Sequence, residues 1–210
     1  MPPSKTYQVN EIFHSIQGEG FLAGRPTTFI RLQGCRVECE WCDTKYTWLK
    51  GGERMTLPQI MNRIRHRHVV VTGGEPTMYN LDLLLLALHQ RQHITQLETS
   101  GQQWLKGRVQ PHWITLSPKE NLGYQILPEY QRYADEVKWV VDEALPYSTV
   151  KDAWNEWPEN NQVKFILMPE GCPPRPEMVI KVLEWLGAQR FWDEIRWFYG
   201  DRLQYRIGVE

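Results

Sequence analysis

From Gly34 to Thr44 the chain reads Gly34-Cys35-Arg36-Val37-Glu38-Cys39-Glu40-Trp41-Cys42-Asp43-Thr44, which puts three thiols on one tight loop with the spacing C-x3-C-x2-C. Any fold this chain adopts has to present that loop to something the thiols can hold. Structural zinc sites close a tetrahedron with four protein ligands, commonly as two matched pairs. Ferredoxin-type carriers fill all four corners of an iron–sulfur cube with cysteine. A triplet suits a cube anchored at three corners, whose fourth iron stays open to a substrate or cofactor. Two other readings stand beside it: a zinc loop completed by His14 or His89, and reduced thiols in a core. Cys172 stands alone in Glu170-Gly171-Cys172-Pro173-Pro174 and reads as a bystander in a turn.

A chain of 210 residues is long enough for one sizeable core. Its net charge of −1 argues against an electrostatic grip on nucleic acid. The one basic run, Arg63-Ile64-Arg65-His66-Arg67-His68, reads as the solvated end of an amphipathic helix. The longest apolar stretch, Leu83 to Leu88, is too short to span a bilayer, so no membrane role is expected. Met1-Pro2-Pro3-Ser4-Lys5 lacks the apolar core of a signal peptide. Thiolates that hold iron need a reducing compartment, and the expected location is the cytoplasm.

Strand and helix patterns alternate along the chain. Phe29 to Gln33 reads as a strand running straight into the cysteine loop, and Thr56 to Ile64 as a helix with Thr56 at its N-cap. Further strands are expected at Val69–Thr72, Thr95–Thr99, Trp113–Leu116, Glu136–Val141, Val163–Leu167 and Ile195–Phe198. Helices are expected at Leu81–Gln92, Ser148–Trp157 and Pro176–Gln189. This is the pattern of an α/β fold, a parallel sheet with helical crossovers that curls into a barrel. The connector from Gly101 to Gly107 is too short for a crossover helix, so the barrel is expected to be partial, a TIM-like half-shell with trimmed helices. A single domain spans 1–210, with its core at about 9–199 and a tail at 200–210.

In parallel α/β folds the chemistry gathers beyond the C-terminal strand ends. Here those ends carry Gly73-Gly74-Glu75-Pro76, Glu98-Thr99-Ser100-Gly101 and Ser117-Pro118-Lys119. Each alone could be an ordinary turn; three polar ends on one rim beside a cysteine loop are harder to dismiss. The cysteine spacing and the G-G-E-P turn resemble the radical S-adenosylmethionine (radical SAM) superfamily. Upstream stand Gln17-Gly18-Glu19-Gly20, Gly24-Arg25-Pro26 and Phe29-Ile30-Arg31-Leu32-Gln33, and downstream Trp41-Cys42-Asp43-Thr44-Lys45-Tyr46-Thr47-Trp48. Together these resemble the 7-carboxy-7-deazaguanine synthase family, from about Val9 to Val141.

That resemblance implies a radical SAM lyase that converts 6-carboxytetrahydropterin to 7-carboxy-7-deazaguanine with loss of ammonia, on the route to queuosine-type deazapurines. It implies three cofactors: a 4Fe-4S cluster on Cys35, Cys39 and Cys42, SAM on its open iron, and a magnesium ion on Thr44, with Asp43 as a competing ligand. SAM would meet Trp41, Cys42, Asp43, Gly74, Ser117, Pro118 and Lys119. The pterin would meet Ile16, Gln17, Gly18, Arg31 and Thr72, with Arg31 as a fork for the carboxylate; Glu19 reads either as a receiver of pterin nitrogens or as a helix cap or salt-bridge partner. Lys119 or His14 could move a proton during ammonia loss; no acid–base pair is otherwise expected. Expected partners are the pterin and an electron donor such as a flavodoxin. A homodimer is suggested by Trp192, Trp197 and Phe198 near the tail, although core packing explains these aromatics equally.

The chain also departs from the family pattern. Arg36 follows the first cysteine, Met168-Pro169-Glu170 stands where Gln-Pro is usual, and Gly200 to Arg206 replaces a Gln-Thr-His-Lys stretch. A small radical SAM activase of glycyl-radical enzymes and a zinc-binding interaction module are the alternative readings.

Overall fold

The computed structural model describes residues 5–40, 42–49, 51–158, 162–171, 173–187 and 196–206. Its strands are β1 (Thr6–Ile16), β2 (Pro26–Leu32), β3 (Glu53–Thr56), β4 (His68–Gly73), β5 (Ile94–Thr99), β6 (Trp113–Leu116), β7 (Glu136–Val141), β8 (Lys164–Pro169) and β9 (Trp197–Tyr199). Its helices are α1 (Leu57–Met61), α2 (Asp82–Gln90), α3 (Tyr147–Glu156), α4 (Pro176–Gly187) and the single turn α5 (Leu203–Arg206). They build one nine-stranded sheet in the order β3-β1-β2-β4-β5-β6-β7-β8-β9. β1 runs antiparallel to both β2 and β3, and every neighbouring pair from β2 to β9 is parallel. The sheet has two ends and does not close, so the expected incomplete barrel is what the chain forms.

One trimmed crossover falls where the short connector after β5 predicted it, and a second, between β6 and β7, carries no such expectation. No α-helix joins β5 to β6 or β6 to β7 among the described residues; the second link holds only 3-10 turns at Glu120–Leu122 and Pro128–Arg132. Aromatic loop side chains cover the sheet there instead: Trp104 lies 4.7 Å from Tyr130 and 5.3 Å from Tyr133, ring centre to ring centre.

Alternation along the strands sorts the side chains into an outer core and an inner cavity. In β2, Ile30 and Leu32 are fully buried in the core while Phe29 and Arg31 face inward. β1 changes phase part-way. Tyr7 and Val9 belong to the core, a register shift between Val9 and Glu11 marks a bulge, and beyond it Glu11, Phe13 and Ser15 face the cavity. A bulge of one residue exchanges the two faces of a strand.

The apolar core divides in two. One cluster, including Ile30, Leu32, Val69, Val71, Leu84, Leu85, Leu88 and Leu97, lies under α1 and α2. The other, including Val137, Trp139, Val150, Phe165, Leu167 and Val182, lies under α3 and α4, and Trp104, Trp154, Trp185 and Trp197 pack against it. Trp197 sits 5.0 Å from Trp154 and 5.1 Å from Phe165, so its role is core packing, and Phe198 meets Phe21 at 5.4 Å. Trp192 lies outside the described residues, as do Cys172 and Ile195.

Two expectations are corrected. The helix from Thr56 stops at Met61, capped by the reciprocal Thr56–Gln59 pair at its start and by Asn62 at its end. The basic run is therefore the lead-in to β4 rather than a helix end: Arg65 N and His66 N donate to Thr28 Oγ1, and His68 is buried at the head of β4. β1 and β3 carry no sequence expectation at all.

Candidate active site

A cavity of about 560 Å³ occupies the inside of the half-barrel. Its roof is the cysteine loop that leaves β2. Gly34 N donates to Thr47 O at 2.8 Å, and Gly34 O accepts from Glu75 N at 2.8 Å, so the loop is tied to both its own exit and the end of β4. Gly74 lies against it so closely that a Cβ there would sit 2.0 Å from Gly34 O. Only glycine allows that approach, which accounts for the second glycine of G-G-E-P.

Cys35, Cys39 and Cys42 are all free thiols and all line the cavity. Burial pushes the Cys39 thiol up, and the Lys119 ammonium opposes that shift. Three soft donors on one wall, with a cation behind them to favour thiolates, fit an iron–sulfur cluster held at three corners. A mononuclear site needs its ligands on one point, and among the described residues no three His, Cys, Asp or Glu side chains converge in that way. His14 and His89, the candidate fourth zinc ligands, do not line the cavity: His14 Nδ1 meets Thr28 Oγ1 at 3.1 Å and His89 Nε2 meets Thr95 Oγ1 at 2.9 Å. His14 is thereby removed as a proton carrier for the cavity as well.

The Glu75 side chain does not face the cavity as a free acid. It accepts five hydrogen bonds: from Thr77 N and Oγ1 at 3.1 and 2.7 Å, Thr99 Oγ1 at 2.6 Å, and Ser100 N and Oγ at 2.9 and 2.6 Å. Thr99 and Ser100 belong to the E-T-S-G end of β5, so one carboxylate locks the rims of two adjacent strands. At the next rim Lys119 Nζ donates to Ser117 Oγ at 2.8 Å, and burial lowers the pKa of Lys119 against the pull of Cys39 and Asp43. Ser117 and Lys119 line the cavity, whereas Pro118 is buried behind them.

The opposite wall belongs to the loop after β1. Ile16, Gln17, Gly18 and Glu19 all line the cavity, and Phe21 beyond them crosses to the far half of the sheet, where its N–H donates to buried Glu136 at 2.7 Å. Arg31 and Thr72, neighbours on β2 and β4, flank this wall. Glu11 accepts from Arg31 Nε at 2.7 Å and from Tyr46 OH at 3.0 Å, which orients the guanidinium over the Phe13 ring. Thr44, at the start of a 3-10 turn, lies with its Oγ1 3.4 Å from Cys42 Sγ; it and Asp43 both line the cavity. Trp41 lies outside the described residues.

Sequence reasoning missed the charges at the base of the site. Lys138 Nζ lies 2.7 Å from Glu19 and 3.6 Å from Glu98, and Arg202 Nε lies 3.3 Å from Glu19. Burial works against the charge on Lys138, but the two carboxylates outweigh it and its pKa is raised. Burial likewise works against charge on Glu19, and Lys138 and Arg202 reverse it, so this carboxyl is held ionised. The signal for Lys138 was available: in Glu136-Val137-Lys138-Trp139-Val140 the odd residues belong to the core and the even ones face the cavity side, and a lysine there needs a partner.

A half-barrel whose rim carries a cysteine triplet beside glycine-lined strand ends defines a radical SAM iron–sulfur enzyme, and comparison with known proteins agrees. A family described as a 4Fe-4S single cluster domain matches residues 16–110. A 7-carboxy-7-deazaguanine synthase of Aquifex aeolicus is 34% identical over 184 residues, covering 84% of this chain and 82% of that protein. Those of Buchnera aphidicola and Escherichia coli K12 are 42% and 38% identical, over 55% and 63% of this chain and 63% and 70% of their own lengths. The crystal structure of QueE from Escherichia coli superposes with a TM-score of 0.78 at 28% identity, covering 94% of both chains. This chain belongs to the 7-carboxy-7-deazaguanine synthase family.

Proposed function

We propose that this protein contracts 6-carboxytetrahydropterin to 7-carboxy-7-deazaguanine and ammonia. The carrying observation is that the thiol triplet, the G-G-E-P and S-P-K rims and the Q-G-E-G loop enclose one cavity of about 560 Å³, a size suited to two small ligands side by side. Product and ammonia together contain every atom of the substrate, so the conversion consumes no oxidant. Bound cluster and SAM supply the radical hydrogen abstraction that no side chain here can perform.

The protein's own part is placement. Arg31, braced by Glu11 through Nε, would give its outer nitrogens to the pterin carboxylate. Ile16, Gln17, Gly18 and Thr72 would bound the pterin plane. Gly74, Ser117 and Lys119 would hold SAM across the cluster, with Cys42, Asp43, Trp41 and Pro118 framing that end. Thr44 would give one oxygen to a magnesium ion, Asp43 being the competing donor; magnesium accepts so sparse a protein site when substrate oxygens complete it. Lys119 is the one candidate for moving a proton during ammonia loss. The single domain would work in the cytoplasm, where its thiolates stay reduced, with an electron donor such as a flavodoxin. Pairing into a homodimer would cover Ile180 and Leu183, which stand exposed on α4; sedimentation at micromolar concentration checks it.

Anaerobically reconstituted protein given 6-carboxytetrahydropterin, SAM and a reductant should yield the deazapurine and one ammonia per turnover. Brown protein that cleaves SAM yet makes no deazapurine would reject the reading.

A further inference from the structure

Arg31 lines the cavity near the end of β2, and only part of its guanidinium is engaged by the protein. Nε donates to Glu11 Oε1 at 2.7 Å, and Cζ lies 5.4 Å from the centre of the Phe13 ring, itself stacked on Phe29 at 4.7 Å. Nη1 and Nη2 donate to nothing among the described residues, and neither is a buried atom left without a partner, so both keep open surface. With Nε taken, the edge free for a carboxylate is the one formed by Nη1 and Nη2.

The Glu11–Arg31 pair alone is a weak brace. The Glu11 side chain is 40% exposed, and an exposed ion pair fixes its rotamers poorly. A third group comes from the cysteine loop: Tyr46 OH donates to the same Glu11 Oε1 at 3.0 Å. Burial raises the Tyr46 pKa, Arg31 opposes the rise and Glu11 adds to it, so the hydroxyl keeps its proton and donates. The backbone behind Tyr46 is firmly held. It belongs to the 3-10 turn Lys45–Thr47, where buried Thr47 donates to Thr44 O from both N and Oγ1 at 2.8 Å and accepts from Gly34 N. One acceptor oxygen thus ties the fork on β2 to the turn that follows the cysteine triplet.

We infer that Tyr46 is a positioning residue: acting through Glu11, it fixes Arg31 with the Nη1–Nη2 edge free and so selects a pterin that carries the 6-carboxylate. The inference rests on the proposed reaction, in which Arg31 takes that carboxylate, and adds the residue that sets the fork. Tyr46 itself needs no contact with the ring.

Ligand titrations of the reconstituted, SAM-loaded holoenzyme test it. The probes are 6-carboxypterin and pterin itself, which lacks the carboxylate. Tyr46 is 50% exposed, and Tyr46→Phe removes one hydroxyl while keeping the ring, so the fold should be retained. The variant should raise Kd for 6-carboxypterin and KM for 6-carboxytetrahydropterin by roughly 3- to 20-fold. Kd for pterin, Kd for SAM and kcat should each change by less than about twofold. In an Arg31→Ala background the same substitution should have no further effect on 6-carboxypterin binding. Unchanged binding of 6-carboxypterin by the Tyr46→Phe protein overturns the inference. So does an equal loss for both pterins, which marks a general structural role, or a loss that persists without Arg31. An Arg31→Ala protein that still prefers 6-carboxypterin removes the inference along with the role of Arg31. An unmodified enzyme that discriminates the two pterins but forms no deazapurine rejects the reaction and leaves the recognition standing.

Discussion

Glu75 shows how a motif letter can act at one remove from the chemistry. Its carboxylate accepts hydrogen bonds from Thr77, Thr99 and Ser100. Glu75→Gln replaces one oxygen by an amide that must face donors. It should destabilise the fold by about 1.5–3 kcal/mol, the range for hydrogen bonds to charged groups. For a chain of this size that is a fall of roughly 3–12 °C in Tm, readable by calorimetry, and a rise in KM for SAM should accompany it. A Glu75→Gln protein with unchanged Tm would show that the five bonds are not needed. At this scale the sequence is most legible where a residue's chemistry is self-declaring: three cysteines on a loop, or an arginine rising from a strand into them. Arg202 was not legible, because its meaning lies in Glu19, more than a hundred positions away; Lys138 could be read only as an inward lysine that needs a partner, not as the partner of Glu19 and Glu98.

Among the elements, β4 carries a titratable weak point. His68 begins that strand buried, with Nδ1 2.8 Å from Thr27 Oγ1. Burial, aided by nearby Arg25, lowers its pKa from 6.5 to about 4. The unfolded chain therefore takes up a proton before the folded one does. The contribution is complete above about pH 6.5 and is lost as pH falls toward 4, amounting to roughly 3 kcal/mol across that window. Urea unfolding at pH 7 and pH 5 should show the loss, and His68→Gln should flatten it; equal slopes in the two proteins would assign the acid sensitivity elsewhere. Element legibility follows burial pattern. β4, β6 and β7 are short and mostly buried, and their expected limits fall within a residue of the observed ones. β1 escaped because its bulge at Asn10 shifts the alternation and its inward half carries Glu11 and Ser15, polar for the sake of the cavity. β3 escaped because four residues at a charged edge leave no period to read.

For the whole molecule, the alternation of strands and helices foretold an open half-barrel, and the glycine-bounded connector after β5 foretold where a helix is missing. What composition could not convey is that the apolar interior splits into two clusters. Phe165→Ala in the second should cost about 3–5 kcal/mol, since Trp139, Trp154, Trp157 and Trp197 all pack on that ring. Tryptophan is absent from the first cluster and abundant in the second. Apart from Trp41 and Trp48 beside the cysteine loop, the two halves therefore carry separate optical labels: in a protein with both of these replaced by Phe, indole emission watches mainly the second cluster, and the visible absorbance of the iron–sulfur cluster watches the N-terminal half. Melting curves recorded at both wavelengths on one sample will coincide if the sheet comes apart in a single event. If the halves part company, the emission curve of the Phe165→Ala protein will run ahead while the brown colour persists.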